Sequence, residues 1–366
     1  MARARAARLA SPPARLRARL RALLVSGALA AAGVAGLLGA PGAQPPEPAP
    51  GIERLDPALD RLVAPDARVE ILASGFEWSE GPVWVSDGGF LLFSDVPRNV
   101  IYRWTPAEGA RPWLTPSGYT GSEPRGGEMG SNGLVLDPRG RLVICQHGDR
   151  RVARMEAPLD DPRPVFATLA DRYDGARFNS PNDAVFHSRG DLYFTDPPYG
   201  LERQAEDPRR EIPFQGIYRV TPAGEVTLLS REMSRPNGLA FSPDERYLYV
   251  ANSDPAAPHW RAFEVRPDGT LGPGRVLFDA TALARRRPGL PDGLKVDERG
   301  HLFAAGPGGV LVISPAGRHL GTILTGQATA NCAFGDADGR SLYITADMHL
   351  MRVRLRTRGA DRRGPR

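Results

Sequence analysis

The chain has 366 residues, with 47 basic and 42 acidic side chains and a formal charge of +5. Seven of the arginines lie in residues 1–43, so the remainder carries 40 basic against 42 acidic side chains, a formal charge of −2. This near-neutral remainder lacks the clustered basic face that displaces counterions from nucleic acid, so the composition excludes nucleic acid as a partner.

Residues 1–43 have the character of an export signal. Their seven arginines, with no acidic residue, precede an apolar stretch at 22–40 that ends in small residues up to Ala43. Alanine and glycine dominate this stretch and lower its hydrophobicity. We therefore expect cleavage after about Ala43 and no stable membrane insertion of the mature chain, with a retained anchor as the alternative. The leader predicts a periplasmic or secreted protein.

Six copies of one pattern fill residues 66–356, between a Pro-rich spacer predicted at 44–65 and a charged tail predicted at 357–366. In each copy a polar residue opens a short apolar strand, a Gly-containing turn leads to a second strand, and a third follows. The openings succeed one another at intervals of 39 to 55 residues. Repeats of this length are typical of propeller blades, and no segment after residue 50 shows a useful helical period.

The sequence therefore predicts an all-β fold, a six-bladed β-propeller. The last repeat is one strand short before the chain ends. Residues 69–73 form a strand-like run that belongs to no repeat. We expect this run to pair with the last repeat and close the ring, because closure removes an exposed sheet edge.

Polar residues open the six repeats, and the first strand of a propeller blade lines the central channel. Their side chains should therefore meet at one end of the channel. Asn and Asp before Gly are also favoured in turns, but a turn preference does not require six polar residues in register. We call them the ring residues: Glu80, Asn132, Asn182, Asn237, Asp292 and Asn331.

The ring residues offer two carboxylates and several amide oxygens, without Cys or His. Such a set favours one hard divalent cation in the central channel, because the two negative charges balance it and the oxygens coordinate it. Ca²⁺ fits the set best, and Mn²⁺, Mg²⁺ and Zn²⁺ are the alternatives.

A second group of polar residues ends the second strands, beside His147 and Tyr199. Asp196 precedes two prolines and is predicted either at the rim of the pocket or in a hairpin turn. No Ser or Cys nucleophile lies beside His147 in the sequence, which favours a supporting role over a catalytic one. His147, Asp196 and Tyr199 are candidates for the pocket around the ion. The strand-ending residues are Asp95, Gln146, Asp196 and Asn252.

Six segments carry a resemblance to a known family. They are 79–84 (SEGPVW), 145–152 (CQHGDRRV), 179–185 (NSPNDAV), 193–201 (YFTDPPYGL), 235–244 (RPNGLAFSPD) and 291–297 (PDGLKVD). Together and in this order they resemble the gluconolactonase, regucalcin and luciferin-regenerating-enzyme family, most closely its bacterial gluconolactonase branch. The resemblance covers about residues 66–356 and implies a six-bladed propeller with one catalytic divalent metal.

The resemblance also implies roles for individual residues. Asn132 and Asn331 become candidates for the substrate pocket or for contacts behind the ligands. The regucalcin branch carries a substrate-binding arginine close before the ligand equivalent to Asn182. Arg177 lies five residues before Asn182 and does not match that spacing, so it stays a pocket candidate only. The implied metal ligands are Glu80, Asn182, Asn237 and Asp292.

The activity implied by the resemblance is the hydrolysis of a small lactone, such as the sugar lactone gluconolactone. The cation would polarise the lactone carbonyl, with Asp292 as the candidate base or as a ligand that assists the attacking water. Two other functions stay open: a non-catalytic binding propeller in the cell envelope, and the same fold hydrolysing a phosphotriester or another ester. The metal set favours an enzyme, because a binding scaffold does not require it.

Overall fold

The computed structural model of the chain describes residues 49–360. The predicted export signal and residues 361–366 of the predicted tail lie outside the described residues. Within 49–360, no helix has the length and apolar character needed to cross a membrane. Three elements precede the repeats, namely β1 (Gly51–Arg54), a 3₁₀ helix (Pro57–Arg61) and β2 (Val69–Ser74).

Six antiparallel sheets follow one another along the chain, one for each repeat, and confirm the predicted six-bladed propeller. We number them blades 1 to 6. Blade 1 contains β3 (Ser79–Val85), β4 (Phe90–Asp95), β5 (Val100–Thr105) and β6 (Gly109–Leu114), and blade 2 contains β7 (Ser131–Leu136), β8 (Leu142–Gln146), β9 (Arg151–Met155) and β10 (Phe166–Ala170). A hairpin of β11 (Arg172–Tyr173) and β12 (Ala176–Arg177) follows. Blade 3 contains β13 (Ala184–Phe186), β14 (Leu192–Asp196), β15 (Gly216–Val220) and β16 (Val226–Ser230).

Blades 4 to 6 complete the propeller, and short helices interrupt the connections. A 3₁₀ helix (Gln204–Glu206) lies within blade 3, and an α-helix (Thr281–Ala284) lies between blades 4 and 5. The strands are β17 (Pro236–Phe241), β18 (Tyr247–Asn252), β19 (His259–Glu264) and β20 (Arg275–Asp279); β21 (Leu294–Val296), β22 (Leu302–Gly306), β23 (Gly309–Ile313) and β24 (His319–Leu324); and β25 (Thr329–Gly335), β26 (Ser341–Ala346) and β27 (His349–Arg354).

Hydrophobic cores lie between neighbouring blades, because alternate residues of a strand face opposite sides of its sheet. In β4, Leu92 packs in the core between blades 1 and 2. Its neighbours Leu91 and Phe93 pack in the core that blade 1 shares with blade 6. There Tyr343 of blade 6 stacks on Trp84 of blade 1, with ring centroids 5.4 Å apart. This interlocking fixes the inner strands of adjacent blades side by side.

The strand that precedes the repeats completes the last blade. β2 pairs antiparallel with β27, with Val69 opposite Val353. The predicted pairing of residues 69–73 with the last repeat is therefore present, and blade 6 has four strands in the order β2-β27-β26-β25.

Two predicted boundaries are wrong. Residues 51–63, assigned to the Pro-rich spacer, belong to the folded body: β1 pairs with β24 as a fifth strand of blade 5, and Leu59 is fully buried. Residues 357–360, assigned to the charged tail, also pack, since Thr357 is 1% exposed and donates a hydrogen bond to Asp297. In both cases a few buried side chains hold a segment whose overall composition is polar or Pro-rich.

Candidate active site

The ring residues lie at or just before the first strands of the blades, and these strands contact one another around the centre of the propeller. Hydroxyl groups on second strands fix their backbone. Ser94 of blade 1 donates to the carbonyl oxygen of Asn132 in blade 2 at 2.9 Å, and Thr195 of blade 3 donates to that of Asn237 in blade 4 at 2.7 Å. Each of these bonds crosses a blade boundary, so it sets the position of one ring residue relative to the next.

Glycines that follow the ring residues allow this close approach. A Cβ atom on Gly133 would lie 2.7 Å from the carbonyl oxygen of Asn182, and one on Gly238 would lie 2.5 Å from that of Asp292. A Cβ atom on Gly293 would lie 1.9 Å from the side chain of Asn331. Only glycine permits such contact between backbones. The polar-Gly pair that opens four of the six repeats therefore has a physical cause in the packing of the ring.

The ring carries more negative charge than its surroundings balance. Burial, reinforced by the charge of Asp183, raises the pKa of Glu80 from 4.5 to about 8. Burial also raises the pKa of Asp292 well above its usual range, and the charges of Glu80, Glu128 and Asp183 add to this effect. Without a cation, both ring carboxyls would be held protonated near neutral pH.

Several buried oxygens of the ring lack a hydrogen-bond donor within the described residues. They are Oδ1 of Asn132, Oδ1 of Asn182 and Oδ1 of Asp292. In contrast, Oε2 of Glu80 accepts hydrogen bonds from the backbone N–H of Gly81 and from Nδ2 of Asn331. Buried acceptors without donors are costly, and hard oxygens are the ligands that Ca²⁺ coordinates.

The donor set therefore fits a hard cation. Within residues 49–360, no three or more His, Cys, Asp or Glu side chains are grouped so that they could hold a metal ion. A cation at the ring would therefore depend on the amide oxygens of Asn182 and Asn237 as well as on the two carboxylates. Asn237 is a ring residue and is buried, with 4% of its surface exposed, which is consistent with that requirement.

Sequence reasoning missed two acidic residues near the ring. Asp183 stands where four of the other five repeats have glycine, and this difference was the available signal. Burial raises the pKa of Asp183, and the charge of Lys295, the only lysine of the chain, opposes this rise. Glu128 lies in the loop between β6 and β7, and no pattern marked it. Its Oε2 lies 3.5 Å from Nδ1 of His147.

His147 and Tyr199 are buried near this carboxyl. Burial lowers the pKa of His147 to about 3, so the imidazole is neutral. Burial raises the pKa of Tyr199, and the charges of Asp292 and Glu128 contribute. His147 and Tyr199 therefore both lie near Glu128.

Asp196 supports the ring from behind. It is fully buried, and its two carboxylate oxygens accept the backbone N–H groups of Asn179 and Ser180, each at 2.8 Å. Asp95 binds the backbone of residues 77 and 78 in the same way. These bonds reach a segment 16 and 17 residues earlier in the chain, so they are not the bonds of a local turn. The carboxylate orients the segment that leads into Asn182.

Arg177 lies apart from the ring residues. It is part of β12, and it donates to the carbonyl oxygen of Asp149 at 2.7 Å. It lines a cavity of about 220 Å³ together with Arg125, Arg150 and Arg209, and no ring residue lines that cavity. A direct contact between Arg177 and a substrate at the ring is therefore not supported.

Comparisons with known proteins agree with the propeller fold. The SMP-30/Gluconolactonase/LRE-like region matches residues 78–347. A gluconolactonase of Zymomonas mobilis is 42% identical over 315 residues, which cover 84% of this chain and 87% of that protein. The structure of a gluconolactonase from Xanthomonas campestris has a TM-score of 0.71 at 31% identity, covering 85% of this chain and 99% of that chain. A calcium-binding protein, regucalcin, from Agrobacterium tumefaciens shares the fold, with a TM-score of 0.62 at 19% identity and coverage of 80% and 96%.

Proposed function

Since the chain belongs to the SMP-30/Gluconolactonase/LRE-like family and is a lactonase, we propose that it opens a small sugar lactone such as gluconolactone at the ring, with the help of a bound divalent cation. The observation that carries the proposal is the surplus of buried acidic and amide oxygens at the ring. Two carboxyls with raised pKa values lie beside amide oxygens that lack donors. A divalent cation would balance both features at once.

Glu80, Asn182, Asn237 and Asp292 would hold the cation, and Ca²⁺ suits this oxygen set better than Mn²⁺, Mg²⁺ or Zn²⁺. A calcium-binding relative with the same fold is in keeping with this choice. When bound, the ion supplies Lewis-acid polarisation of a carbonyl oxygen. The remaining steps fall to the side chains of the chain itself.

Asp292 is the proposed base. Its Oδ1 has no hydrogen-bond donor within the described residues, so it is free to accept a proton from an attacking water molecule. The water oxygen bonds to the carbonyl carbon, and the bond from that carbon to the ring oxygen of the lactone breaks. Asn132 and Asn331, the two ring asparagines that are not proposed ligands, would orient the lactone; they are 3% and 2% exposed. The product is an open hydroxy acid.

The proposal extends to location. The predicted leader at 1–43 would direct the chain to the periplasm or to the medium. The intact mass of the purified mature protein tests this, because cleavage after about Ala43 removes a defined mass. A mature protein that begins at Met1 would reject it.

The function is tested by metal analysis and by acid release from a panel of aldonolactones and other lactones. Asp292→Asn should lower kcat by about 10²- to 10⁴-fold, the usual contribution of a positioned base. The matched control is Asp160→Asn, an exposed residue in a surface loop that should keep wild-type activity. Chelation should abolish turnover, and added Ca²⁺ should restore it. Turnover that persists after verified removal of all divalent metal would reject the cation, and inactivity on every lactone would reject the proposed substrate class.

A further inference from the structure

A carboxyl and an imidazole from two separate segments meet beside the ring. Glu128 comes from the loop at 115–130, and His147 follows directly after β8. The His147 side chain is fully buried, and its Nδ1 lies 3.5 Å from Oε2 of Glu128. A buried polar side chain is costly unless it has a partner, and Glu128 is the partner that this imidazole has.

The pair faces the acidic end of the ring. Glu128 stands just before β7, the strand that carries Asn132, and the carbonyl oxygens of the next two residues accept the backbone N–H groups of Gly148 and His147 at 3.1 Å each. In keeping with this position, the charge of Glu128 acts on Glu80, Asp292 and Tyr199. About a third of the Glu128 side chain, 36%, stays accessible, so a small molecule can touch it. His147 by contrast has no exposed surface. The carboxyl can therefore act on a substrate, and the imidazole can act only through the carboxyl or through its own buried surroundings.

The loop that carries Glu128 is held in place. Three residues earlier, Arg125 donates to the carbonyl oxygen of Gly148 at 2.8 Å and also to that of Gly200. At the start of the loop, Oδ1 of Asn99 accepts the backbone N–H groups of Gly118 and Tyr119 at 2.7 and 3.1 Å. These contacts tie the loop to blades 1, 2 and 3, so the carboxyl has a defined position.

We infer that Glu128, positioned by His147, is the acid that protonates the ring oxygen of the lactone as it leaves; the inference rests on the proposed lactonase function. Water attacks the carbonyl carbon and gives its proton to Asp292. The bond from that carbon to the ring oxygen breaks, and the electron pair stays on the oxygen. The proton of the Glu128 carboxyl moves to this oxygen, which becomes the hydroxyl of the product. Asp292 and Glu128 then exchange protons with solvent.

The electrostatics agree with this assignment. Burial raises the pKa of Glu128 to about 7, so a protonated fraction exists at neutral pH. The neutral His147 does not stabilise the ionised carboxylate as an imidazolium would. Glu80, Asp292 and Tyr199 lie within electrostatic range of Glu128, and Arg125 of the same loop lies within range of His147 and favours its neutral form. The 3.5 Å separation between Glu128 and His147 is in the range of catalytic pairs that tighten when substrate binds.

The test compares two lactones with different leaving groups. One is glucono-δ-lactone, whose leaving oxygen is an alkoxide, and the other is an aromatic lactone whose leaving oxygen is a phenolate, with a conjugate acid of pKa about 10. A phenolate leaves without prior protonation, so it does not need the acid. Glu128→Gln should lower kcat on glucono-δ-lactone by about 10²- to 10⁴-fold and on the aromatic lactone by less than about tenfold. Glu123→Gln, an exposed residue in the same loop, is the matched control.

A second measurement separates chemistry from structure. In the wild type, kcat on glucono-δ-lactone should fall as pH rises through the pKa of Glu128, and this limb should be missing in Glu128→Gln. His147→Gln should shift the limb without removing it, which a merely structural role would not do. Equal losses on both lactones, or no loss on either, would overturn the assignment and leave the lactonase function intact. A wild type that opens neither lactone would overturn both.

Discussion

Replacement of Glu80 by Gln tests the electrostatics of the ring directly. Both hydrogen bonds that Glu80 accepts go to one atom, Oε2. The carbonyl oxygen of Gln can accept the same two bonds, from Gly81 and Asn331, so the substitution removes the charge and keeps the contacts. Any change in stability then reports the cost of ionising a buried carboxyl beside Asp292 and Asp183.

The size of the effect follows from the pKa shift. A rise from 4.5 to about 8, at about 1.4 kcal/mol for each pKa unit, gives an upper bound of about 5 kcal/mol for the ionised carboxylate. Because the folded-state pKa is raised, the folded protein holds its proton longer than the unfolded chain does. The contribution of protonated Glu80 to the stability of the cation-free protein is therefore fully present below pH 4.5 and is lost as the pH rises toward 8.

The assay is thermal unfolding in chelator at pH 5 and pH 9. At pH 5 the two proteins should unfold at similar temperatures. At pH 9 Glu80→Gln should be more stable than the wild type by about 2 to 4 kcal/mol, or about 4 to 8 °C in Tm at about 2 °C per kcal/mol for a chain of this size. Glu225→Gln, in an exposed turn, is the control and should change Tm at neither pH.

Ca²⁺ at about 100 times its Kd should close most of the gap in stability between the two proteins at pH 9. A ligand at 100 times its Kd stabilises the folded state by about 2.7 kcal/mol, and the loss of one carboxylate ligand should remove most of that gain. The reasoning is refuted if the cation-free wild type unfolds at the same temperature at both pH values and Glu80→Gln matches it throughout. Such a result would mean that burial and the neighbouring carboxyls do not raise the pKa of Glu80.

Two further predictions concern the supports of the ring. Gly293→Ala should destabilise the protein by about 1 to 3 kcal/mol in chemical denaturation, because its Cβ would overlap the side chain of Asn331, whereas Gly126→Ala has open space and should be close to neutral. Asp196→Asn should cost about 1 to 3 kcal/mol at pH 4, because its amide NH₂ would face a backbone N–H of Asn179 or Ser180. Burial raises the pKa of Asp196 to about 7, so the stability of the wild type should decline between pH 4 and pH 7 as this carboxyl ionises. The Asn variant cannot ionise and should not show this decline, so its stability should lie closer to that of the wild type at pH 8. An Asn variant that parallels the wild type across this range would contradict the assignment.

The repeat and the ring could be predicted from the sequence because both are periodic. A fixed interval places Asn132 and Asp292 at equivalent positions of different blades, and equivalent positions of a propeller meet at its centre. The following glycines were part of the same signal, although their reason, contact between neighbouring backbones, became visible only in three dimensions. Asp196 had two compatible interpretations because both place a polar residue after a strand.

Glu128 could not be predicted, because it lies in a loop. The position of a loop residue depends on contacts with distant segments, here Arg125 with Gly148 and Gly200, and no local period encodes them. The spacer boundary was wrong for a related reason. A Pro-rich composition describes the average of a segment, whereas three buried residues, Leu59, Leu62 and Val63, pack this segment into the core between blades 5 and 6.

The ring combines two features that would each destabilise a protein, namely the close approach of the inner strands and the burial of oxygens without hydrogen-bond donors. The glycines bring the inner strands close together, and burial withholds the water that would hydrogen-bond the ring oxygens. Asp95 and Asp196 fix the approach segments from behind, so the ring cannot relax by spreading. Protons can relieve this cost at the two carboxyls, and a divalent cation would relieve it at several oxygens at once. Protons and the cation compete for the same carboxyls. The pH dependence of the stability of the cation-free protein and its affinity for Ca²⁺ should therefore change together in every ring variant.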